Sequence, residues 1–427
     1  MAAAETATRP TTSPRMSQPL DVIVAGGGVI GLTIALRLAD EGRRVMLIDP
    51  EEPGSGASYG NAGTIATYAT SPLGTPAMLR DLPRLLTDRH SPLAVHRPSL
   101  VSLMPWLARL AHQSLPARAA ANGTALAALL WDAGSLWAAL AERVGAEALM
   151  RNRGCLYLYA TEAEARAASA GLAARRALGV VVEQIDAAGL AALEPGLPPM
   201  AGGAAFFPGA QFIIDRGAMM AALTRAVLQA GVEVLRGRAT QLERTAVGVV
   251  VRGPGLLRTA RRVVIAAGAR SRALARMAGD RVPLDTERGY HLEWDMATPP
   301  VTRPACPVAR GFYLCPMAGR LRVAGTVEMG GLDAPPSSHR LERLAEGARQ
   351  FFPHLGAPSR SWMGLRPSMP DSLPVIGASK DGADVIHAFG HGHLGLTLAP
   401  RTADFVADLI AGRDPGPALS PCLPTRF

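Results

Sequence analysis

The chain has 427 residues, 48% of them hydrophobic, enough for one large or two ordinary domains with full cores. Its formal charge of +9 is carried almost wholly by arginine, since Lys380 is the only lysine. The arginines stand singly or in pairs (Arg43–Arg44, Arg175–Arg176, Arg261–Arg262), so they form no basic stripe and no nucleic-acid partner is expected. No apolar run reaches the ~18 residues of a membrane span.

Residues 1–19 read as a disordered leader without the apolar stretch of a secretory signal, and Met16 is a second candidate start. Residues 21–25 (DVIVA) form a β-branched run that enters GGGVIG. LTIALRLADEG follows with helical spacing and RRVMLID returns as a strand, which completes a βαβ unit. A Gly/Ser/Asn-rich loop spans 53–64, and a helical pattern runs from about 85 to 150. GCLYLYA (154–160) reads as a strand, the stretch from Thr161 as a helix, and AGGAAFFPGAQFII as a paired β region. Asp215 caps a helix through Gln229. Short strands recur to about 268 and again in RGYHLEW, GFYLCP and LRVAGTVE, before a helix over roughly 338–352. WMGLRPSMPDSLPVIG (362–377), with three prolines and two glycines, reads as a loop of little regular structure. A strand DVIHAFG and a helix over 394–411 close the pattern.

The glycine fingerprint Gly26-Gly27-Gly28-Val29-Ile30-Gly31 sits between strand and helix, as dinucleotide binding requires. Gly26 permits the turn, Gly28 lets a pyrophosphate approach the backbone, and Gly31 lets helix and strand pack. The helix start at Val29 and Ile30 offers free N–H groups to phosphates. Asp49, at the end of the second strand, is placed to accept from ribose hydroxyls. A later strand, Arg262-Val263-Val264-Ile265-Ala266-Ala267-Gly268, has the form of a neighbour to the first, with Ala267 and Gly268 close to the dinucleotide. Four cysteines without a CxxC pair indicate neither disulfides nor zinc and fit a reducing, cytoplasmic setting. The histidines of GHGHLGLT have no third ligand at recognisable spacing, so no metal is expected.

GGGVIG, SYGNAG, RRVVIAAGARS, ERGYHLEW, YLCPMAGRLRVAGTVE, GLRPSMPDSLPVIG and GHGHLGLT, in this order, resemble the D-amino-acid oxidase superfamily of flavoproteins over roughly residues 20–412. The chain is most similar to the bacterial D-amino-acid dehydrogenases, the D-hydroxyproline dehydrogenase type included. The resemblance implies an α/β fold, with an FAD-binding Rossmann-like domain of glutathione-reductase type and an inserted mixed-sheet α+β substrate domain. The expected division gives 20–84, 205–280 and 362–412 to the FAD domain, 85–204 and 281–361 to the substrate domain, and 413–427 to a C-terminal tail. FAD, held non-covalently, is the implied cofactor. Gly26, Gly28, Val29, Ile30, Gly31 and Asp49 would hold its ADP half, Ser58, Asn61, Ala62 and Gly63 would lie along the flavin and phosphates, and Thr240 would approach the adenine. Gly392, His393, Leu394, Gly395 and Thr397 match the turn and helix start that face the flavin.

The implied reaction is hydride transfer from Cα of an amino acid to the flavin, giving an imino acid and then a 2-oxo acid. Arg366 matches the family's carboxylate-binding arginine, whose planar fork suits that anion. Tyr290 and His291 are expected to line the pocket opposite. A quinone or carrier protein is the expected electron acceptor, because Lys380 lies in a turn rather than against the flavin. The amphipathic 99–115 segment is expected to be a core helix, with peripheral contact to an inner membrane as the alternative. Rival readings are a peroxide-forming glycine or sarcosine oxidase, a tRNA-modifying flavoprotein, and an electron-relay subunit.

Overall fold

Strand Leu20–Ala25 passes through the glycine turn into helix Val29–Asp40 and returns as strand Val45–Asp49, the βαβ unit read from the sequence. The computed structural model describes residues 20–80 and 93–427. Parallel neighbours extend the unit on both sides. Glu233–Arg236 lies beside Val45–Asp49, Leu256–Ile265 lies beside Leu20–Ala25, and Gly382–Phe389 follows. Parallel strands are covered on both faces, so their side chains are apolar on both. Val22, Val24, Leu47 and Val264 pack with helices Val29–Asp40 and Gly395–Ala411. On the other face Ile23, Met46, Val263 and Ile265 meet Val249 and Val251 of strand Gly248–Gly253 and helix Ser271–Met277.

A second sheet runs from edge strand Arg360–Ser368 through Asp285–Asp295, Arg320–Met329, Phe312–Met317, Ala305–Pro307, Cys155–Leu158 and Ala204–Phe207 to Glu183–Ile185. Strands Asp285–Asp295 and Arg360–Ser368 pair antiparallel without interruption from Asp285↔Ser368 to Glu293↔Arg360. Alternation then sends Glu287, Gly289, His291 and Glu293 to one face, together with Arg366, Gly364, Trp362 and Arg360. Tyr290, Leu292 and Trp294 point the other way, into the core under helix Ser338–Phe351 with Leu344 and Ala348.

Three expectations are corrected by this topology. The first part of WMGLRPSMPDSLPVIG is the edge strand Arg360–Ser368, because its tryptophan and arginine alternate with small residues on a paired face. That strand and Ala204–Phe207 belong to the second sheet, so the FAD domain does not begin at 362 or 205. Helices Pro116–Leu130 and Ala133–Arg143, assigned in advance to the substrate domain, bury Leu126, Leu129, Leu130 and Trp137 in the core of the first. Trp137 Nε1 donates to the Leu396 carbonyl at 2.8 Å. In the C-terminal segment, Leu419 and Cys422 are buried in that same core. Helix Leu100–Gln113 buries Leu103, Trp106 and Leu110 as a core helix does, while Val101 and Met104 are exposed. The leader 1–19 and the beginning of the expected helical stretch at 85–92 lie outside the described residues.

Candidate active site

The glycine turn is tight because backbone fills the space that side chains would take. Gly26 has φ +121°, and a Cβ there would sit 2.2 Å from the Ala266 carbonyl oxygen; at Gly31 it would sit 1.8 Å from that of Gly26. The strand ending Ala266–Gly268 is therefore packed on the turn, with Ala266 N donating to the Ala25 carbonyl. Over Gly28 the only atom of the described residues within 4 Å of a Cβ position is Ser58 Oγ, so the backbone is open to a ligand at the helix start. Val29 N donates to Ser58 Oγ at 2.8 Å. Asp49 accepts from Gly27 N at 2.5 Å and from Glu51 N at 2.8 Å, so it braces the turn with one bond to each oxygen and keeps further acceptor capacity. Burial raises the Asp49 pKa, and the Gly27 hydrogen bond opposes the rise. This open turn, helix N-terminus and carboxylate fit the ADP half of FAD.

The Ser58–Gly63 loop is held from beneath by two buried arginines that the sequence reading missed. Arg322 Nη1 donates to the Tyr59 and Asn61 carbonyls, each at 2.9 Å, and Arg216 Nη1 donates to Ala62 and Ile213 carbonyls. Asn61 closes the loop internally, accepting from Gly63 N at 2.7 Å and donating to the Ser58 carbonyl. Glu293 balances the arginines, with Arg322 Nη2 2.6 Å from its carboxylate and Arg320 and Arg360 also on it. Burial pushes the Glu293 carboxyl up, but Arg322 and Arg320 outweigh it and leave the pKa below the ordinary value. Burial, followed by Arg322, lowers the Arg216 guanidinium. The visible signal was the pair of glutamates at the two ends of ERGYHLE, six residues apart and so on one strand face, and one arginine inside LRVAG.

His291 lies on this face but is 1% exposed. It stacks on Trp362 at 5.0 Å between centroids, and its Nδ1 is 2.9 Å from the Gly60 carbonyl. Burial and Arg322 lower its pKa to about 3, so it is neutral with Nδ1–H donating. It positions the loop and does not line the pocket. Tyr290 departs further from expectation. Its side chain points to the far face, where its hydroxyl donates to Glu328 at 2.5 Å and accepts from Ser337 N. One residue of strand alternation separates the two fates.

Arg366 lies half-buried on the site face, its guanidinium over Gly289, where a Cβ would meet Nη2 at 2.4 Å. It makes no hydrogen bond or ion pair with any described residue. The acid nearest to it in sequence, Asp371, is engaged by Arg426 at 2.8 Å and by Leu373 N. Burial lowers the Arg366 pKa, opposed by the charge of Glu287. The turn Gly392–Leu394 closes this end, joined by a bridge between Ser368 and His391, and leads into helix Gly395–Ala411. His393 is exposed there and feels both Glu287 and Arg366, while Thr397 Oγ1 accepts from Ala66 N at 3.0 Å. Thr240 is set apart from this end. It is exposed, and its N–H and hydroxyl both donate to the Arg252 carbonyl. Cys315, on the strand beside Arg322, is buried and its thiol is pushed up to about 11, a neutral and unreactive state.

A dinucleotide turn, a substrate sheet laid over its loop, and an unpaired arginine between them define a flavin-dependent oxidoreductase. The profile of the DAO family of FAD dependent oxidoreductases matches residues 21–409, and the chain belongs to that family. It is 36% identical to a D-amino-acid oxidase of Bradyrhizobium diazoefficiens, over 96% of this chain and all of the relative. Among solved structures, glycine oxidase from Geobacillus kaustophilus superposes with TM-score 0.77 at 25% identity, covering 96% of this chain and 99% of the other. L-proline dehydrogenase from P. horikoshii shares the fold, with TM-score 0.71 at 20% identity over 96% and 98% of the two chains. FAD is the cofactor, and the oxidation of amines or amino acids is the class of reaction.

Proposed function

We propose that the protein oxidises the carbon–nitrogen bond of a D-amino acid, D-proline and cis-4-hydroxy-D-proline among the candidates. Arg366 carries the reading. It is a half-buried guanidinium with no partner in the described chain, at the junction of the two sheets. Its fork receives the substrate carboxylate in two parallel hydrogen bonds and so fixes Cα. FAD, held without a covalent link, accepts a hydride when bound. The Ser58–Gly63 loop and the Gly392–Leu394 turn keep water from the reacting carbon, and the imino acid leaves to be hydrolysed to a 2-oxo acid.

Electrons go to an acceptor other than dioxygen in this proposal, since the single lysine, Lys380, is exposed in the turn between strands Val375–Ser379 and Gly382–Phe389, with its backbone N–H on Asp280. The names of the Bradyrhizobium and Geobacillus relatives support a second reading, an oxidase that forms hydrogen peroxide. One assay separates them. A panel of D- and L-amino acids, glycine, sarcosine and D-hydroxyprolines is measured with an artificial dye and, separately, for peroxide. Turnover of D-amino acids with dye and little peroxide is expected. Stoichiometric peroxide replaces the first reading by the second, and turnover restricted to L-amino acids or to glycine and sarcosine overturns the D-amino-acid assignment.

A further inference from the structure

Glu287 stands opposite Arg366 in the strand register, on the same face, and is 4% exposed. Such neighbours hold their Cβ atoms about 5 Å apart, and an arginine and a glutamate so placed ordinarily close an ion pair. These two do not. The guanidinium folds over Gly289 instead, and no hydrogen bond or ion pair joins Glu287 to any described residue. A carboxylate on so nearly buried a side chain, with no protein donor and its oxygens still open to the site, asks for a physical explanation. Its charge acts on the two groups that border the same space, Arg366 and His393.

We infer that Glu287 receives the amine of the substrate, which sheds its extra proton to solvent before hydride leaves Cα, so that Arg366 and Glu287 together grip an α-amino acid by its carboxylate and its nitrogen. This deepens the carboxylate role of Arg366 and rests on it. The amine and carboxylate of an α-amino acid are separated by one carbon, so their receptors must be immediate neighbours, as these are. A cation at the end of a long side chain would need a carboxylate farther along the sheet. Gly289 completes the arrangement, because any side chain there would strike the guanidinium. Glu287 also gives the site a reason to refuse acids that lack an amine: binding them buries the carboxylate without its donor.

The test uses the FAD-loaded wild type with Glu287→Gln and Glu287→Asp, after flavin content and melting temperature are matched. The D-amino acid with the highest kcat/KM is compared with the acids of the same skeleton that carry hydrogen or hydroxyl in place of the amine. For D-alanine these are propionate and D-lactate, whose binding is read from flavin absorbance and competitive inhibition. Glu287→Gln raises KM for the amino acid about 10- to 100-fold. Propionate binds as tightly as before or more tightly, because a negative neighbour has gone, and Glu287→Asp recovers part of the loss. An unchanged KM, or equal weakening of amino acid and propionate, overturns the inference. Arg366→Lys is run alongside: if it binds propionate like wild type, the carboxylate clamp is wrong whatever Glu287 does.

Discussion

Arg426 holds Asp371, with Nε 2.8 Å from Oδ2, and its Nη2 also donates to the Leu373 carbonyl at 2.8 Å. Arg426 thus pins the chain just beyond the edge strand and occupies Asp371, the acid nearest to Arg366 in sequence. Asp371 is 4% exposed, and removing its partner leaves a buried charge uncompensated. Arg426→Ala therefore destabilises the protein by about 3 kcal/mol, measured as a lower midpoint in denaturant. Adding Asp371→Asn recovers part of that, since the stranded charge is gone. A double variant no better than the single would show that lost packing, not charge, is the cause.

Arg366→Ala and Arg366→Lys are expected to fold and retain FAD, because Arg366 bonds no described residue. Lysine keeps the charge but not the fork, so KM for a carboxylate substrate rises in both variants, by at least about tenfold in the alanine. Wild-type KM in either variant removes the clamp role.

The fold was more legible in the sequence than the site, for a physical reason. The βαβ unit is a local pattern in which glycine spacing, apolar runs and the Asp49 position all lie within thirty residues of one another. The clamp arginine was visible because Leu365 and Pro367 give it no neighbour to pair with. Which way Tyr290 and His291 point depends on the register between strands more than sixty residues apart, with Tyr290↔Met363 and His291↔Trp362, and no local signal sets that. Glu287 could have been found as one of two acids, with Glu293, on the face that alternates through ERGYHLE. The loop-holding arginines, Arg216 and Arg322, reach the Ser58–Gly63 loop from distant segments, and only the folded chain brings them together.

Tyr290→Phe provides a direct check on the strand faces. The variant loses the bonds to Glu328 and Ser337 but nothing in the site, so stability falls by about 1–2 kcal/mol while KM and kcat stay at wild-type values. A large change in KM at unchanged stability would return Tyr290 to the pocket.

Gly60→Ala tests the loop proposed to lie between the flavin and the second sheet. A Cβ at Gly60 would lie 2.1 Å from the Trp362 ring, and that ring is stacked on His291. Accommodating the methyl means moving Trp362 or lifting the loop. Because Arg322 and Arg216 fix the loop carbonyls at Tyr59, Asn61 and Ala62, the displacement reaches the flavin side. The purified variant is expected to carry less FAD than wild type, read from the ratio of flavin to protein absorbance. Full FAD occupancy with unchanged affinity would mean the ring yields freely.

The buried histidines set the acid side of the stability profile. His391, 3% exposed with Nε2 2.9 Å from Thr402 Oγ1, has its pKa lowered to about 3 by burial, as has His291. In the unfolded chain both titrate near 6.5. Between about pH 6.5 and 3 the unfolded state therefore binds protons that the folded state refuses. Stability contributed by the neutral histidines is present above that range and falls with decreasing pH inside it, by up to about 1.4 kcal/mol per pH unit for each. Glu293 acts in the same direction only lower, as pH falls through its depressed pKa. Glutamine at 391 can place an amide near the Nε2 position that meets Thr402 and cannot take a proton. His391→Gln is therefore expected to be less stable than wild type at pH 7.5 and to lose less stability on going to pH 5. Denaturant midpoints of the FAD-loaded proteins at the two pH values measure this, and parallel profiles for wild type and variant would show that His391 is not the group responsible.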